Sequence, residues 1–85
     1  MSAGQSPEIE YPCRWSYRIV GTCADTIRAL VLDVAGDAEH ELRPSRASSS
    51  GKYVSFHLEV LVRDELHRHD VFHALAAHET IRYVL

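Results

Sequence analysis

The densest run of chemically capable side chains is His67, His69, His73 and His78. On a helix, His69 and His73 at i, i+4 share one face and could both reach a divalent cation. Two ligands make no site, and beyond Asp70 the spacing fixes no third donor. A solvated polar face is therefore expected, with no metal or other cofactor. His57 and Glu59 stand two apart, which on a strand places them side by side as a solvated charge pairing rather than as an acid and base in a dry pocket. The run Gly21-Thr22-Cys23-Ala24-Asp25 is a turn at a helix start, whose backbone N–H groups could receive the carboxylate of a small ligand. Arg14, Arg18 and Tyr53 form a third group, able to pair with and stack on single-stranded RNA if one surface presents them together. None of these arrangements supplies a catalytic residue.

The elements that would position these residues follow from hydrophobic periodicity. Trp15, Tyr17 and Ile19 alternate with Arg14, Ser16 and Arg18, which predicts a half-buried strand over Cys13 to Val20. Gly21 ends it. Asp25 is the expected cap of a helix whose inner stripe is Ile27, Leu30, Val31 and Val34, and Gly36 stops that helix. A weaker strand follows over His40 to Ser45, and Pro44, lacking an N–H, assigns it to a sheet edge. Residues 47 to 51 are an Ala-Ser-Ser-Ser-Gly loop expected to be mobile. From Lys52 to Val62, apolar Val54, Phe56, Leu58, Val60 and Val62 alternate with Tyr53, Ser55, His57, Glu59 and Leu61, the pattern of a central strand. Asp64 caps a second helix with Val71, Phe72 and Leu75 inward and Arg68 at the edge of that stripe. A last strand over Glu79 to Leu85 sets Ile81, Tyr83 and Leu85 against Arg82 and Val84. The result is an α+β chain of β-α-β-β-α-β order. Two right-handed crossovers place both helices on one face of a four-stranded antiparallel sheet, with the strands ordered 4-1-3-2. Arg14, Arg18, Tyr53, Ser55, His57, Glu59 and Arg82 would then share the open face.

With 85 residues, the chain has room for one core. Met1 to Glu8 is small and polar and reads as a flexible tail, leaving 9–85 as a single domain. A net charge of −3 supplies no basic field for phosphate backbones, so nucleic acid is disfavoured as a partner. There is neither a signal sequence nor a run of about 20 apolar residues, so a cytoplasmic location without membrane contact is expected. Cys13 and Cys23 are too few for a disulfide scaffold and, held apart along a strand, too distant to bridge.

Tyr11-Pro12-Cys13-Arg14, Gly21 after the first strand, Arg43-Pro44-Ser45, Gly51-Lys52-Tyr53-x-Ser55 and the terminal Val84-Leu85 together resemble the YbeD-like family of small bacterial proteins of uncharacterised function. The resemblance spans nearly all of the chain after Glu8. It implies a ferredoxin-like fold similar to the ACT regulatory domains, and it supplies no catalytic residues. The chain departs from the family pattern at Arg68, where an apolar helix residue is expected, and at Glu79, where proline is common. The expected function is that of a non-enzymatic binding or regulatory module acting through a protein partner or a small metabolite, with homodimerisation compatible. Its tentative surface comprises Gly21, Thr22, Asp25, Arg14, Arg18, Tyr53 and His57, and the competing reading is an RNA-binding module using the open sheet.

Overall fold

The computed structural model describes residues 9–45 and 52–85. The readings of residues 1–8 as a tail and of 47–51 as a mobile loop lie outside the described residues. The elements run β1 (Cys13–Gly21), α1 (Ala24–Ala35), β2 (His40–Pro44), β3 (Val54–Val62), α2 (Glu65–Ala76) and β4 (Ile81–Val84). They form an antiparallel sheet ordered β2-β3-β1-β4, the expected ferredoxin-like α+β arrangement, with β2 and its Pro44 at one edge.

β1 and β3 form the longest ladder, from Cys13 opposite Val62 to Gly21 opposite Val54. Their alternation buries Tyr17, Ile19, Phe56, Leu58, Val60 and Val62 on the helix side. β3 starts at Val54 rather than Lys52, so it has nine residues and not eleven.

In α1, Ile27, Val31 and Ala35 are the fully buried residues, while Leu30 and Val34 pack at the margin of the core. Asp25 is not the cap. The N-cap is Cys23, in extended conformation, and Asp25 lies within the first turn, where its charge still complements the helix dipole. The helix ends as expected at Gly36, whose φ of 57° is left-handed and whose N–H returns to the Leu32 carbonyl at 3.1 Å.

In α2, the Asp64 carboxylate accepts the His67 N–H at 2.7 Å, while His67 Nδ1 accepts the Arg63 N–H at 3.0 Å. This reciprocal arrangement satisfies two donors at the helix start in the manner of a capping box. It also explains why His67 is buried, which its polarity did not suggest.

Two expectations about the inner faces are corrected. Phe72 is 37% exposed, and the buried stripe of α2 is instead His67, Val71 and Leu75, at i, i+4 and i+8. Burying Val71 and Leu75 contributes about 1.5–3 kcal/mol each. In β4, Ile81 and Val84 face the core while Tyr83 and Leu85 are exposed. The cause is an irregularity in the β1–β4 ladder, where Val20 pairs with Tyr83 but Gly21 pairs with Ile81. The extra residue, Arg82, breaks strict alternation, and side chains three apart reach the same face.

Candidate functional site

The sequence-derived surface residues fall into two places. Arg14 and Arg18 of β1 share the open sheet face with His57 and Glu59 of β3, as the alternation required. Arg14 is already engaged, at 2.6 Å from Glu39 and 4.0 Å from Glu59, and an Arg18 nitrogen lies 3.4 Å from His57 Nε2. Glu41 pairs with Glu59 one row from Arg43 and His57, so cations and carboxylates are interspersed on this face. Tyr53 is exposed, but the Arg82 guanidinium stands 5.8 Å from its ring centre. A nucleic-acid backbone would meet both signs of charge here.

At the β1–α1 turn, the Thr22 N–H is donated to the Thr80 carbonyl at 3.2 Å. The exposed Cys23 thiol has its pKa lowered by the Thr26 side chain first and by the backbone N–H groups of Thr26 and Asp25. Both cysteines are free thiols. Gly21 is required for packing, since a Cβ there would stand 2.8 Å from the Thr80 carbonyl oxygen and 3.0 Å from Ile27 Cδ1.

A third surface is a concavity between α2 and the first half of β1. It is a cleft of about 360 Å³ lined by Trp15, Tyr17, Arg68, His69, Phe72, His73 and Leu85. Trp15 and Tyr17 reach it from β1 because odd-numbered residues of that strand face the helices. The Tyr17 hydroxyl donates to the Arg68 carbonyl at 2.9 Å and ties strand to helix. Arg68, the residue at odds with the family pattern, lays its guanidinium 4.3 Å from the Trp15 ring centre, a cation–π contact that lets a charged side chain roof an apolar floor. His69 stacks near His73 at 6.4 Å, and Phe72 meets His73 edge-on at 5.5 Å.

The pair of histidines singled out for metal binding thus lines a mixed aromatic and basic cleft. Among the described residues, no group of three metal-ligating side chains is assembled. Sequence reasoning placed Trp15, Tyr17 and Phe72 in the core; Tyr17 is buried there and Trp15 packs at its margin, but Phe72 is exposed, and the cleft between them was missed. Its one sequence signal was Arg68 interrupting an apolar stripe.

Burial raises the Tyr17 phenol from 10.0 to about 12, with Arg68 opposing the shift. Between those values the unfolded chain has lost this proton and the folded chain keeps it, so stability falls as pH rises from 10 to 12. Urea midpoints measured across that window should decline less steeply in Tyr17→Phe than in the unaltered protein. Parallel slopes would contradict a buried phenol. At neutral pH the same variant should lose about 0.5–1.5 kcal/mol with the hydrogen bond.

Comparison with known proteins sets the geometry in context. A family model described as protein of unknown function (DUF493) matches residues 6–85. An uncharacterized protein of Campylobacter jejuni, Cj0253, is 32% identical over 73 residues, covering 86% of this chain and 84% of its own. A UPF0250 protein of Shewanella amazonensis is 32% identical over 79 residues, covering 91% of this chain and 90% of its own. The solution structure of HP0495 from Helicobacter pylori superposes with a TM-score of 0.83 at 26% identity, over 96% of this chain and 90% of that one.

Proposed function

Because the chain belongs to the DUF493 family of bacterial proteins of unknown function, the family its YbeD-like motifs resemble, we propose that it is a non-enzymatic binding module of regulatory type that engages its ligand at the α2–β1 cleft. The observation that carries this reading is the cleft itself, where Trp15, Tyr17 and Phe72 offer apolar surface and Arg68, His69 and His73 offer hydrogen-bond donors around it. Aromatic and arginine side chains at a concavity are the groups that dominate recognition energetics. The buried Tyr17 phenol commits its hydroxyl to the Arg68 backbone carbonyl and so fixes the floor of the cleft.

In the ACT-like version of this proposal the ligand is a small carboxylate-bearing metabolite received at Gly21, Thr22 and Asp25. The cleft is the stronger surface, since the Thr22 N–H is already committed to Thr80. A cytoplasmic setting belongs to the same proposal. Among the described residues, no helix is long and apolar enough to cross a membrane.

Affinity capture from bacterial lysate tests the reading when the unaltered protein is run beside Phe72→Glu, Arg18→Ala and Thr22→Pro. Phe72 is partly exposed, so its replacement leaves the core intact. Proteins or metabolites retained by all but Phe72→Glu support the cleft. Loss confined to Arg18→Ala or Thr22→Pro moves the site to the open face or to the turn.

A further inference from the structure

A further surface runs along the outer edge of β2, on the side of β3 away from β1. The Glu39 carbonyl accepts the Leu61 N–H, and the Ser45 N–H is donated to the Ser55 carbonyl, both at 2.8 Å. Residues two apart in an antiparallel ladder direct their backbone groups to the same side, so Glu41 and Arg43 also bond to β3. His40, Leu42 and Pro44 turn theirs outward, where no strand pairs with β2 among the described residues. The side chains beside this edge are unbalanced in charge. Register sets Glu41 opposite Glu59, and Arg43 opposite His57, which in turn lies opposite Arg18. Like charges directly opposite one another destabilise a sheet. Glu59 has Arg14 at 4.0 Å, but among the described residues neither Glu41 nor Arg43 has an ion-pair partner. On the helix face, Leu42 packs at the core's margin and borders a groove of about 250 Å³ together with Arg28, Val31, His40 and the exposed Leu32.

From this pattern we infer that β2 pairs with β2 of a second copy of the chain, antiparallel about a two-fold axis through Leu42, so that the two sheets become one. In that register Leu42 exchanges both backbone hydrogen bonds with its counterpart, and the His40 N–H is donated to the copy's Pro44 carbonyl. Charge decides the register. Glu41 lies opposite the copy's Arg43 on the open face, and Arg43 opposite the copy's Glu41, so the carboxylate row of each protomer runs into the basic row of the other. One contact thereby relieves both imbalances. Moving the axis by one residue in either direction sets Glu41 against Glu41 or Arg43 against Arg43, which repels. On the helix face, Leu42 meets its counterpart beside Leu32, whose 66% exposure in the single chain would then fall. A strand of five residues offers a small interface, so the dimer forms and separates reversibly. The inference goes beyond the cleft reading and uses none of its residues.

Sedimentation equilibrium of the full chain, carried up to about 1 mM, tests this together with amide hydrogen exchange. The expected result is a reversible monomer–dimer equilibrium, with exchange at the His40 and Leu42 amides slowing as the concentration rises. Glu41→Arg and Arg43→Glu each set like charges across the seam and should weaken the dimer by about tenfold or more. Within one chain the same changes remove the like charge facing Glu59 or His57, so both variants should keep their fold by circular dichroism. An equimolar mixture of the two should dimerise again, because the wholly basic edge of one meets the wholly acidic edge of the other. The double variant, with the signs exchanged, should associate as the parent does. A parent that stays monomeric at about 1 mM overturns the inference. So does association that neither single variant weakens, or a mixture that fails to pair, since the contact then lies on another face. His40 and Leu42 amides already protected in the dilute monomer show the edge covered by this chain itself and overturn it too. None of these outcomes touches the cleft, which the lysate capture decides separately.

Discussion

Phe56→Ala is expected to destabilise the domain by about 3–5 kcal/mol, measured by urea unfolding, which would remove much of the stability of so small a protein. Phe56 is 2% exposed, among the largest fully enclosed side chains, and sits at the centre of the sheet between Ile19 of β1 and Pro44 of β2. The rigid ladder on both sides cannot collapse into the space left by the ring, so the cavity cost adds to the lost transfer energy. Arg28 of α1 lies over the ring at 5.2 Å and would lose that contact too. His57, the next residue, supplies the control. It projects to the open face near Arg18, and His57→Ala should change stability by no more than about 0.5–1 kcal/mol. Equal losses at the two positions would mean that the faces of β3 are inverted.

Gly21→Ala should cost about 1–3 kcal/mol, although alanine suits a strand better than glycine does. Gly21 shows no positive φ, so the expected penalty comes from close approach and not from backbone strain. The added methyl would stand 2.8 Å from a backbone oxygen, that of Thr80, which cannot rotate away as a side chain can. Relief requires β4 to shift, and the Thr22 to Thr80 hydrogen bond sits at the point of displacement. Amide chemical shifts in Gly21→Ala should therefore change most from Thr80 to Val84, with β2 undisturbed. A variant as stable as the parent, with unchanged β4 shifts, would remove the packing explanation and restore the turn as a place where glycine serves a ligand.

These two positions also show how far the sequence could be read. Phe56 was assigned to the core correctly because strict alternation over β3 is a local property of the chain: once the segment is a strand, period two decides every face. Gly21 was recognised as the end of a strand, but the reason for glycine lies 59 residues away in Thr80, beyond any local pattern. Asp64 was legible as a cap, whereas Asp25 was not a cap, since Cys23 takes that place with its backbone extended and without a capping hydrogen bond. Capping preference ranks residue types and does not choose between neighbours two positions apart.

By itself the sequence determined the order of elements, the faces of β1 and β3, the edge position of β2 and the ferredoxin-like topology. All of these follow from periodicity, proline chemistry and the handedness of crossovers. The tertiary structure alone decided which apolar residues remain uncovered. Trp15 and Phe72 carry the same core-like signature as Leu58 or Val71, yet they line an opening between α2 and β1, with Tyr17 buried at its floor. The irregular pairing at Gly21 then turns Val84 inward and Leu85 outward at the mouth of that opening. Burial depends on what another segment places opposite a side chain, and the register and reach of one strand against another are set by the packed sheet rather than by either strand's own residues.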